Sequence, residues 1–153
     1  MYNIKSNDRI IMSKKEITPL RFPVSQSEEP HFKPKGLWYA IGTEWIDWVR
    51  DEMPHWEGNI IYKIEVNPSK MLFITNKNEL ASFSDTYKII TDESNVIGYI
   101  DWKRVAEKYS GIEISPYQSV ARYDITWYYT WDVASGCIWK KDGIRSIKRI
   151  KVK

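Results

Sequence analysis

Residues 31–54 read HFKPKGLWYAIGTEWIDWVRDEMP, and the spacing of their apolar residues changes once along the way. Pro34 and Gly36 punctuate the opening, and the strand-like LWYAI follows them. Thr43 stands where a helix N-cap belongs, with Glu44 and Asp47 in a first turn whose free amides favour negative charge. Trp45, Trp48, Val49 and Met53 then recur at helical spacing, which predicts an amphipathic helix over 44–53 ended by Pro54.

Working outward, NIIYKIEV (59–66) alternates as a half-buried strand, NPSK turns, and MLFIT reads as a buried strand. NKNELASF predicts a short helix, whereas residues 84–98 show no clear period. Asp101 caps a second amphipathic helix whose apolar face is Trp102, Val105, Ala106 and Tyr109, with Gly111 beyond its end. IEIS predicts a strand, PYQSVARYD a long connection, and GCIW a late strand before a basic terminal one. Upstream, ITPLRF (17–22) predicts a first strand, and residues 1–16 a flexible N-terminal segment. The expected fold is therefore a single α+β domain over 1–153, strand-rich, with two or three short helices.

A chain of 153 residues can bury one core without disulfide or metal staples. An apolar fraction of 42% and a charged fraction of 28% fit a soluble globular protein. The single cysteine, Cys137, excludes an internal disulfide framework and reads as an inert buried thiol. No run approaches the ~20 apolar residues of a membrane span, and no signal peptide is recognisable, so a reducing cytoplasm fits best. His31 and His55 lack partners at ligand spacing, so no metal is expected. Residues 140–153 carry seven basic residues and one acid. Such a tail suits phosphate contacts, though lysines more often guard a solvated sheet edge.

Eight tryptophans and ten tyrosines against four phenylalanines favour rings with polar tips, suited to half-wet walls as well as cores. The densest run, WYYTWDVASGCIWKKDGI (127–144), gathers rings around Asp132 and Ser135. One reading is a ring-rich core strand pair, and the other is a pocket that stacks a flat ligand beside a carboxylate. A dinucleotide needs cations or amides for its pyrophosphate, rings for its bases, and a carboxylate near the reacting ribose. Arg21, the KPKG turn (33–36), Trp38, Tyr39 and Asp132 supply those types in order.

Three pieces resemble the ADP-ribosyltransferase superfamily, including its small phage and bacterial members. KGLWYA resembles the family's strand beside nicotinamide, AEKYSGIEI its helix-to-strand passage, and GCIWKKDGIRSI its terminal strand, together spanning about residues 17–150. The resemblance implies a mixed, mostly antiparallel split sheet and NAD as co-substrate. It further implies transfer of ADP-ribose to a macromolecule, or NAD glycohydrolysis. Arg21 and Lys35 with Gly36 would then steady phosphates, Leu37, Trp38 and Tyr39 would border nicotinamide, and Asp132 would hold the ribose. The family's glutamate falls at Ser135 in this register, three residues after Asp132. The rival expectation is a non-enzymatic module that binds single-stranded nucleic acid or a host protein through exposed rings and the basic tail.

Overall fold

The computed structural model describes residues 3–17, 22–29, 31–89 and 98–150. Among these residues, nine strands and three α-helices follow in the order β1 (Arg9–Ser13), β2 (Leu37–Ile41), α1 (Glu44–Glu52), β3 (Ile60–Val66), β4 (Met71–Ile74), α2 (Lys77–Tyr87), β5 (Lys88–Ile89), β6 (Tyr99–Ile100), α3 (Trp102–Lys108), β7 (Gly111–Ile114), β8 (Ser135–Ile138) and β9 (Ile144–Ile150). β5 and β6 form a separate two-stranded pair. The other seven strands make one sheet in the order β4-β7-β8-β2-β1-β3-β9. Only the β4–β7 pairing is parallel.

The sheet curls. Residues 67–70 alone join β3 to β4, although these strands lie near opposite ends of the sheet order, so the two ends must approach. Alternation then divides the side chains. Ile11, Tyr39, Ile41, Ile64, Met71 and Ile138 pack together on the concave face. On the other face, α2, α3 and the ring-rich turn at Thr126–Thr130 cover the β7–β8 half, while Ile46 of α1 packs on Ile10 and Ile61. α1 thus covers the β1–β3 half.

The expected helices at 44–53 and 101–109 are α1 and α3, and the LWYAI and GCIW strands sit side by side at the centre. The N-terminus departs from expectation. Residues 9–13, read as part of a flexible segment, form a strand between β2 and β3, because Ile10 and Ile11 each face one of the two cores. The strand expected at 17–22 lies largely outside the described residues. The 127–131 run is neither a strand pair nor wholly a pocket wall: Trp127 and Tyr128 are sealed in the core, while the nearly buried Trp131 reaches a cavity. Among the described residues no helix is long and apolar enough to cross a membrane.

Candidate functional site

A cavity of about 300 Å³ opens on the helix-covered face, in the gap between α1 and the ring-rich turn. Its floor is a row of cross-strand partners, Ile10, Ala40 and Ser135, on β1, β2 and β8. The hollow exists because Ala40 and Ser135 carry small side chains beside the bulky Trp38. Trp38 forms one wall, with Trp131 edge-on to it at a centroid distance of 4.9 Å, and Trp45 of α1 contributes another.

Charge enters at the rim. Lys33 places Nζ 5.6 Å from the Trp38 ring centroid. Desolvation there lowers the ammonium's pKa from its usual value, while the Asp132 carboxylate pulls it back upward. Asp132, which lines the cavity with its side chain 29% exposed, has a second cation nearby, Arg122 Nη2, at 4.0 Å. Arg122 in turn lies over the Tyr129 ring at 4.7 Å. The Arg122 Nε and Trp131 Nε1 atoms are buried with no hydrogen-bond partner. Ser135 donates its hydroxyl proton to the Val133 carbonyl at 2.9 Å.

Trp38, Asp132 and Ser135 therefore come together as a constellation, joined by Lys33 of the KPKG turn. Tyr39 borders the cavity, but alternation turns its ring to the concave face. There its hydroxyl donates to Glu113 Oε1 at 2.8 Å. The same carboxylate accepts from Arg9 Nε at 2.5 Å and Nη2 at 3.2 Å, a bidentate pair. Burial, and then the Glu113 charge, push the Tyr39 phenol well above its usual pKa. Gly136 makes this tie possible, since a Cβ there would stand 2.4 Å from the Tyr39 Cζ and hydroxyl oxygen.

The remaining expected ligands lie off the cavity lining. Lys35 is exposed, and its backbone is clasped by the Gln26 side-chain amide in both directions, at 2.9 and 2.8 Å. Leu37 packs against the concave core. Gly36 lets the chain cross β8 closely, since a Cβ would meet the Ile138 carbonyl oxygen at 2.4 Å. Arg21 lies outside the described residues. Several participants escaped the sequence reading, Arg122 beside Asp132 among them. Trp45 was legible only as one ring of a helix face, and the Arg9–Glu113 pair gave no local signal because 104 residues separate its members. No protein-family model, curated protein or solved structure matches the chain.

Proposed function

We propose that the cavity binds the nicotinamide end of NAD and that the protein transfers ADP-ribose to a macromolecule or, with water as acceptor, hydrolyses NAD. The observation that carries this reading is the convergence of Trp38, Lys33, Asp132 and Ser135 on one hollow of about 300 Å³. That volume lies at the small end of ligand pockets and suits one ring with its ribose rather than a whole dinucleotide. Indole faces favour a cationic pyridinium, and Lys33 at the rim offers its charge to the pyrophosphate. The C1′–N bond breaks with its electron pair leaving on nicotinamide, and Asp132 stabilises the oxocarbenium-like centre left behind. The acceptor's lone pair then closes on C1′ and its proton departs to solvent. An ADP-ribosyltransferase-like relationship is part of this proposal, with Asp132 in the place of the family's glutamate.

Asp132→Asn keeps volume and deletes charge. It is expected to slow nicotinamide release ~10²-fold while leaving NAD affinity nearly unchanged, the scale of one strong electrostatic stabiliser. Ser135→Ala should be milder. The measurement is nicotinamide release by purified protein with and without cell lysate as acceptor source, with thermal melts as the folding control. Absence of release under both conditions overturns the enzymatic reading. Salt-sensitive oligonucleotide binding, with no tryptophan response to NAD, would instead favour a nucleic-acid module using the exposed Arg145, Lys148 and Arg149 of β9.

A further inference from the structure

Beside the cavity, α1 and the turn after it carry a surface that the NAD reading uses only through Trp45. Trp45 and Trp48 stack at 5.0 Å with planes 9° apart, and Trp56 leans on both at 6.3 and 6.1 Å. Trp56 is 46% exposed, unusual for so large a ring. Helix geometry explains the layout. Ile46 and Val49 point into the core, so the three- and four-residue spacing of Trp45, Trp48 and Glu52 runs along the flank. Glu44 and Asp51, both exposed, flank Trp48 by the same spacing.

The charge of this surface opposes that of the whole molecule. Residues 44–57 hold five carboxylates and one arginine, while the full chain is +3. Arg50 is paired with Glu57 at 2.7 Å, and Lys14 Nζ donates to the His55 carbonyl, which leaves the ledge net acidic. Indole faces ringed by carboxylates match one chemistry above others. A guanidinium or ammonium is attracted to the ring face and is paired by the acids around it. An anionic strand of nucleic acid would be repelled.

We infer that the Trp45–Trp48–Trp56 ledge docks a basic, arginine- or lysine-rich segment of a partner protein. Trp45 belongs to both ledge and cavity, so a segment seated there lies at the mouth beside Asp132. If the cavity is the transfer site, the docked chain is its acceptor. That consequence rests on the NAD reading, whereas the docking itself does not.

The experiment is fluorescence anisotropy with a labelled peptide alternating arginine and serine, a control with glutamate in place of arginine, and a labelled oligonucleotide. Each probe is titrated with the full chain, with Trp56→Ala and with the doubly reversed Asp51→Lys/Glu52→Lys, in the absence of NAD. The arginine peptide is expected to bind and to weaken about tenfold in either variant, the scale of one cation–π contact or two lost charge contacts. Thermal melts check both variants. The reversed pair is exposed, so it still decides the question if Trp56→Ala melts early. Equal binding of the arginine and glutamate peptides overturns the inference. So does unchanged arginine-peptide affinity in the reversed pair, or oligonucleotide affinity that drops with Trp56→Ala. Because no arm contains NAD, failure of nicotinamide release leaves this result readable.

Discussion

Trp38 and Tyr39 are adjacent in the chain and serve opposite faces of one sheet. LWYAI was legible as a strand, but which face would hold a cavity was not, because that depends on the small partners Ala40 and Ser135 lining up across three strands. The Asp132 neighbourhood was legible as rings plus an acid, yet Trp127 and Tyr128 proved to be core, since composition does not distinguish a sealed ring from a lining one. Tyr39 carries a testable burden. Removing its hydroxyl leaves the Arg9–Glu113 pair one donor short, so Tyr39→Phe is expected to cost about 1–3 kcal/mol in urea unfolding at neutral pH. The alkaline side adds a sign. In the unfolded chain this tyrosine ionises near its usual 10, while the folded phenol, raised by burial and then by Glu113, keeps its proton. Its contribution is therefore full below pH 10 and is lost as pH rises toward the folded value. Stability of Tyr39→Phe should fall less steeply than wild type above pH 10 in the same assay. Parallel slopes would show that the phenol does not titrate with unfolding.

Among the elements, the two helix starts differ in a way the residues alone did not reveal. Thr43 looked like a cap for α1, but its hydroxyl donates to the Asp47 carboxylate at 2.9 Å and makes no cap bond to the helix backbone. Asn76 does cap α2, accepting the Glu79 amide at 2.9 Å, while the Glu79 carboxylate accepts the Thr75 amide at 2.8 Å. This reciprocal arrangement holds two backbone donors. Asn76→Ala is expected to destabilise by about 1 kcal/mol, and Thr43→Ala by less than half of that, measured as denaturation midpoints. Equal losses would mean that Thr43 caps in solution. Helices α1 and α3 were readable from a helical period and β3 from alternation, whereas β2, β7 and β8 were read from strand-like content. Arg9–Ser13 was not, because its short apolar run sits in an otherwise polar stretch. Its place between β2 and β3 is set by pairing, which lies beyond any local window.

For the molecule as a whole, β1 is the strand whose loss should matter most. It fills the slot between β2 and β3, and Ile10 and Ile11 enter different cores. Deleting residues 1–13 is expected to abolish cooperative unfolding, seen as a missing near-ultraviolet transition in the tryptophan-rich core. A retained sharp transition would show that β2 and β3 can close on each other without it. The same topology bears on how the chain is made. On a ribosome β1 emerges first and finds β2 and β3 within the next few dozen residues. The far edge of β2, however, stays bare until β8 arrives at Ser135–Ile138, and Arg9 stays in water until Glu113 appears. A chain stalled between these points would display an unpaired central edge, the kind of template on which two nascent copies join by mistake. Closure of the central edge thus coincides with the moment the cavity floor is laid, so an incomplete product is exposed to aggregation before it has any site to offer.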